Sequence, residues 1–179
     1  MDEPPILEII NLKTASLFSF ACVSGGLAAQ CSKEEEDILH DYGFNLGVAF
    51  QMADDLADLY ETLKSGEPSG DFKTRKVSYP LFCLYISSPR LKDAVQRWVA
   101  GQLDLDSLMS LIEYDNSGLL LAKKKIAEYQ TRSLLALDSL PESKYRDLLE
   151  LVPKYVEMKM LEEVGALEEY LALEEGGSG

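Results

Sequence analysis

The chain has 179 residues, 46% of them apolar and 27% charged, with a formal net charge of −14 at neutral pH. That length and apolar share suffice for one domain with a hydrophobic core and exclude a disordered segment. The acidity makes nucleic acid a poor partner, because such a surface repels a phosphate backbone. The longest apolar run, Leu12 to Ala29, is interrupted by Lys13 and small polar residues, so the chain is expected not to be transmembrane. Met1-Asp2-Glu3-Pro4-Pro5 lacks a basic leader, which makes the cytoplasm the expected compartment. Cys22, Cys31 and Cys83 are odd in number and form no CxxC pair, so they read as reduced, mostly buried thiols.

Taken in order, the segments read as helix. Leu7 to Ala29 is apolar on most faces, the pattern of a buried helix. Ser32 and Glu35 have capping-box spacing, and Lys33 to Tyr60 follows as a long helix. Gly43 and Gly47 in its middle either weaken the helix locally or mark close approach of another helix. Ser65 to Tyr79 breaks the pattern with Gly66, Pro68 and Gly70, a loop, and Pro80 suits the first turn of the next helix. That helix ends at Ser87-Ser88-Pro89. Leu91 to Ala100 and Leu103 to Tyr114 are shorter amphipathic helices, Asn116-Ser117-Gly118 is a turn or cap, and Leu119 to Leu140 is a clear amphipathic helix stopped by Pro141. A last helix begins near Glu142, with a kink or break expected at Pro153. No β-hairpin signal occurs, so the predicted fold class is all-α.

The chemistry concentrates in one stretch. Phe50-Gln51-Met52-Ala53-Asp54-Asp55-Leu56-Ala57-Asp58 sets three carboxylates in an apolar helix. Asp54 and Asp58 are four apart and share a face, with Asp55 beside them and Gln51 one turn earlier. Like charges at that spacing repel, and a hard divalent cation with oxygen ligands removes the cost; magnesium takes one or two carboxylates plus phosphate oxygens. The competing reading is a solvated acidic stripe. Lys13 stands in a run, Ile6 to Ala21, otherwise apolar or small, where it needs an anionic partner or must reach out to water. Lys73, Arg75 and Lys76 in the loop read in isolation as a solvated basic loop, and beside the aspartates as cations that could approach a diphosphate bridged to them by metal. His40, the single histidine, reads as a surface residue, and Trp98 as packing.

Together these residues resemble the trans-isoprenyl diphosphate synthase (polyprenyl synthetase) family. Lys13-Thr14-Ala15 is similar to its Lys-Thr element, and Phe50-Gln51-x-x-Asp54-Asp55-x-x-Asp58 to its second Asp-rich motif. Gly66-x-Pro68-x-Gly70-Asp71 and Lys76-x-Ser78-x-Pro80 are similar to the loop that follows, and Asn116-Ser117-Gly118, Leu140-Pro141 and Tyr145-Arg146 to later segments. The resemblance runs from about Leu7 to about Val156. It implies an all-α helical bundle of the isoprenoid synthase type, here without its N-terminal helices. Residues 1–175 would be the C-terminal part of a prenyltransferase domain, and 176–179 a linker-like tail.

The implied reaction is condensation of isopentenyl diphosphate with an allylic diphosphate in isoprenoid biosynthesis, with Mg2+ as cofactor. Carried over by position, Asp54, Asp55 and Asp58 would hold magnesium directly or through water. Lys13 and Lys76 would pair with the allylic diphosphate, Thr14 would line that pocket, and Gln51 would orient the site. Asp54, Asp55 and Lys13 are the expected catalytic residues. The family's first Asp-rich motif and its isopentenyl-diphosphate grip have no counterpart in the sequence, and Glu67 stands where the family has a lysine. A homo-oligomer or a complementary prenyltransferase subunit is therefore the expected partner. The alternatives are a non-catalytic regulatory subunit of a synthase and a truncated structural fragment.

Overall fold

The computed structural model describes residues 1–68 and 70–156; the acidic stretch Glu157 to Glu175 and the tail at 176–179 lie outside the described residues. The helices are α1 (Glu3–Ile10), a π-turn (Asn11–Ala15), α2 (Ser16–Ala28), α3 (Lys33–Ser65), a 3-10 turn (Gly70–Thr74), α4 (Tyr79–Ser87), α5 (Pro89–Val99), α6 (Leu105–Tyr114) and α7 (Ser117–Leu137). An eighth helix, α8, occupies residues 144–156 and is not split at Pro153. No strand occurs among the described residues, so the fold is all-α as expected. Two compact units divide the chain. One is built from residues 54–122, the other from 2–53 together with 123–156 among those described; α3 and α7 contribute to both.

In the unit of residues 54–122, the core is Leu56, Leu59, Leu81, Leu84, Leu91, Val95, Trp98, Leu108 and Ile112, all fully or almost fully buried. α4 buries six consecutive residues, Tyr79 to Leu84, as a helix must when it is apolar all round. Its start carries Pro80 in the first turn, where the missing N–H costs no helical bond. Gly118, at the start of α7, lets α4 approach so closely that a Cβ there would lie 2.6 Å from Leu84 Cα.

The short helices are fixed by their caps. The Ser88 hydroxyl accepts from the Leu91 N–H at 3.3 Å, and Asp104 accepts from the Ser107 N–H at 2.7 Å. Asp115 accepts from both the backbone N–H and the hydroxyl of Ser117, at 3.2 and 2.6 Å, and from the Ser88 hydroxyl at 2.8 Å. It thereby ties the start of α7 to the start of α5. The Ser117 and Ser88 hydroxyls hold the Asp115 carboxyl below the usual aspartate range.

The other unit begins with α1, the π-turn and α2, which follow one another as a continuous helix from Glu3 to Ala28. The capping box at the start of α3 forms in both directions: Glu35 accepts from the Ser32 N–H at 2.8 Å, and the Ser32 hydroxyl accepts from the Glu35 N–H at 3.2 Å. Gly43 and Gly47 are the points of close helix approach anticipated from their positions. A Cβ on Gly43 would lie 2.8 Å from Ser19 Cα, and one on Gly47 would lie 2.6 Å from Ala15 Cα. The Tyr42 hydroxyl donates to the Leu149 carbonyl at 2.8 Å, and Gln130 Nε2 to the Pro153 carbonyl at 3.3 Å, joining α3 and α7 to α8.

One expectation for the N-terminal helix is corrected, and so is the ground given for another. It is not buried throughout: Ile6, Ile10, Ala15, Ser19 and Gly26 are covered, while Leu12 (71% exposed), Leu17 (65%) and Phe20 (69%) are not. Apolar composition states a need for cover, and the chain itself supplies cover on one side. Nor is it too short or too interrupted for a membrane span by length and composition, because Lys13 and the small polar residues do not end the helix and 26 residues run on without a stop. At 1.5 Å per residue such a helix is roughly 39 Å long. Its glycine-mediated packing against α3 is equally that of a core helix.

Candidate functional site

The Asp-rich segment lies in α3, as its spacing requires, and the three carboxylates have different surroundings. Asp54 is exposed. Asp55 is buried and accepts from the Tyr79 backbone N–H at 3.5 Å, at the first residue of α4. The preceding residue, Ser78, offers no side-chain cap to that helix. The Asp55 carboxylate thus supplies the negative charge that a helix N-terminus favours. Ser78 Oγ itself is buried with no hydrogen-bond partner among the described residues, an orphaned polar atom at the end of the loop.

Asp58 lies against the start of the loop. Gly70 has φ +45°, and a Cβ built there would overlap the Asp58 carboxylate, so glycine is demanded by space as well as by conformation. In the sequence Gly70 is part of a loop signature only; contact with an aspartate twelve residues earlier has no local signal.

Lys73, Arg75 and Lys76 are all exposed. Arg75, grouped with them in the sequence reading as a cation for diphosphate, is committed elsewhere: its Nη1 donates to the Trp98 carbonyl at 2.7 Å, and its guanidinium lies 5.7 Å from the Trp98 ring centroid. Arg75 also has φ +53°. A side-chain-bearing residue in that region costs about 1–2 kcal/mol, which its contacts must offset.

The remaining predicted residues lie in the other unit. Lys13 is exposed, and it and Thr14 sit in the π-turn, where the Ser16 N–H donates to the Asn11 carbonyl five residues back. Single wide turns of this kind are frequent at functional positions. The Thr14 hydroxyl donates to Gln51 Oε1 at 2.6 Å, and Gln51 is 4% exposed. The structure therefore brings together Thr14 and Gln51, two residues 37 apart that the sequence could associate only by motif.

The donor set decides what metal these aspartates can take. Among the described residues no three His, Cys, Asp or Glu side chains gather closely enough to cage an ion. Magnesium shared with a diphosphate needs only one or two carboxylates, the rest coming from phosphate and water oxygens. Asp54 and Asp58, on one helix face, fit that role and do not fit a closed all-protein site.

Comparison with known proteins follows the same lines. Residues 2–113 match the family model described as Polyprenyl synthetase. The chain is 34% identical over 144 residues to the mitochondrial hexaprenyl pyrophosphate synthase of Saccharomyces cerevisiae, covering 78% of this chain and 30% of that protein. Among solved structures, a decaprenyl diphosphate synthase from Rhodobacter capsulatus superposes with a TM-score of 0.76 at 28% identity, over 89% of this chain and 51% of that one. A Caulobacter crescentus polyprenyl synthase complexed with calcium and isoprenyl diphosphate gives a TM-score of 0.72 at 29% identity, over 87% and 49%. The chain thus spans between about a third and a half of the length of these proteins.

Proposed function

The chain belongs to the polyprenyl synthetase family, and from that membership we propose that it is a magnesium-dependent prenyltransferase part, binding an allylic diphosphate for condensation with isopentenyl diphosphate. The observation that carries the reading is the arrangement at α3: Asp54 exposed, Asp58 beside the Gly70 loop, and Asp55 at the start of α4. A merely solvated acidic stripe would have no loop folded onto one of its carboxylates and no helix start seated on another.

In this reading Asp54 and Asp58 hold magnesium, and Asp55 keeps the start of α4 in place while contributing its charge to the same ion. Magnesium, when bound, supplies positive charge to the oxygens of a departing diphosphate. Lys13 and Lys76 add ammonium charge at the allylic diphosphate, Thr14 lines that pocket, and Gln51, fixed by the Thr14 hydroxyl, orients the site. Such preorganised charge is the principal means by which an enzyme stabilises a leaving diphosphate. Ser78 Oγ is a buried hydroxyl available to a bound oxyanion or its water.

The chain spans a third to a half of its relatives, and Leu12, Leu17 and Phe20 are exposed. We therefore propose that turnover needs a complementary prenyltransferase segment or a second copy of the chain, while affinity for magnesium with diphosphate remains in the chain alone. Calorimetric titration with magnesium and inorganic diphosphate tests this. Diphosphate binding is expected to require magnesium, to be weakened most by Asp54→Ala, and to be weakened in Lys76→Ala with affinity for the bare metal spared. Glu67→Lys is expected to tighten it. Equal binding by the unmodified chain and Asp54→Ala would overturn the assignment.

A further inference from the structure

We propose that Arg75 is a positioning residue: its guanidinium latches the loop of residues 70–76 to the C-terminal end of α5 and so sets where the adjoining Lys76 presents its ammonium group. The inference rests on the functional reading above and adds to it a residue that the motif does not contain.

Four contacts meet at Trp98. Arg75 Nη1 donates to its carbonyl at 2.7 Å, and the Arg75 guanidinium faces its ring at 5.7 Å. Phe72, buried in the same loop, has its ring centroid 5.4 Å from that of Trp98. The Gly101 N–H donates to the same carbonyl at 3.0 Å, closing the end of α5. The Trp98 carbonyl lies in the last turn of α5, where helix carbonyls lack helical partners and the dipole favours a cation, so arginine is the suited residue.

Space for the side chain comes from Gly101, which has φ +75°; a Cβ there would stand 3.1 Å from Arg75 Nη1. Arg75 holds φ +53°, and its N–H donates to the Phe72 carbonyl at 3.3 Å, which closes the loop into a turn. A residue with a side chain persists in that backbone region when its surroundings over-determine it, and the Trp98 contacts do so. The other end of the loop is fixed by Gly70 against Asp58. Contacts thus hold the loop at Gly70 and at Arg75, and Lys76 follows one residue after the latch.

The test uses the whole chain, with magnesium and inorganic diphosphate as probes and the single tryptophan as reporter. Arg75→Gly keeps the backbone conformation accessible and removes the latch. It is expected to weaken magnesium-dependent diphosphate binding roughly tenfold, the effect of losing one hydrogen bond to a charged group, to leave magnesium binding alone unchanged, and to open Trp98 to acrylamide quenching. Arg75→Lys should recover part of the affinity. Because Arg75 acts through Lys76, the double variant Arg75→Gly, Lys76→Ala should bind no more weakly than Lys76→Ala. Losses that simply add, or full binding by Arg75→Gly, overturn this inference alone. An unmodified chain that binds no diphosphate overturns the functional reading, and this inference with it.

Discussion

α4 and the helix from Glu3 to Ala28 are both apolar with little polar face, yet they end in opposite situations. α4 buries Tyr79 to Leu84 without a gap, whereas the N-terminal helix exposes Leu12, Leu17, Phe20 and Leu27. The two sequences make the same demand for cover; the difference lies in what surrounds them. α4 meets α5 and α7, with Gly118 admitting the latter to backbone contact. The N-terminal helix meets α3 along one stripe, through Gly43 and Gly47. Burial is thus a property of the neighbourhood, and an uncovered apolar face marks a place where another surface is wanted.

The contrast breaks most visibly if the packing is disturbed on either side of it. Trp98→Ala, in the filled unit, is expected to cost about 3–5 kcal/mol in urea unfolding followed by circular dichroism. Gly47→Leu probes the one covered stripe of the N-terminal helix. With Ala15 Cα only 2.6 Å from where its Cβ would sit, the helices must separate, at about 1–3 kcal/mol in the same measurement.

A smaller effect is expected at Asp115. Asp115→Ala removes the acceptor for Ser117 and Ser88 and should cost about 1 kcal/mol. Its carboxyl is held below the usual aspartate range, so its stabilisation is fully present above an ordinary aspartate pKa of about 3.9 and is lost as pH falls through the lowered folded value. Acid unfolding curves of the unmodified chain and Asp115→Ala should therefore converge as the pH falls. A constant gap down to the lowest pH would contradict this.

The smallest expected effect on stability is also the most informative about the uncovered helix. Phe20→Ser should change unfolding free energy by no more than about 0.5 kcal/mol, since its side chain is exposed. It should nonetheless lower the weight-average mass seen by light scattering if that face seeks a partner, because burial there contributes roughly 25 cal/mol per Å² of apolar surface. An unchanged mass would show that this face is not where association occurs.

Much of the fold and part of the candidate site were legible in the residues themselves, because they depend on interactions a few positions apart. Helical periodicity gave the all-α class. Ser32 with Glu35, Pro80 and the Asp54–Asp58 spacing each act within one or two turns, and a helix transmits such spacing without reference to anything distant. Gly43 and Gly47 left two readings open, a local weakening of the helix or close packing, and the contacts with α2 and the π-turn decide for packing.

What only the tertiary structure decided involves partners far apart in sequence or departures from regular geometry. The wide turn at Asn11–Ala15 leaves hydropathy unchanged while shifting the register of a helix. The contact of Gly70 with Asp58, the seat of α4 on Asp55 and the contact of Arg75 with Trp98 each depend on where another segment comes to rest. Which face of the N-terminal helix is covered depends on the same thing. A residue's chemistry limits what it can bond to, and chain packing settles which of the permitted partners it meets.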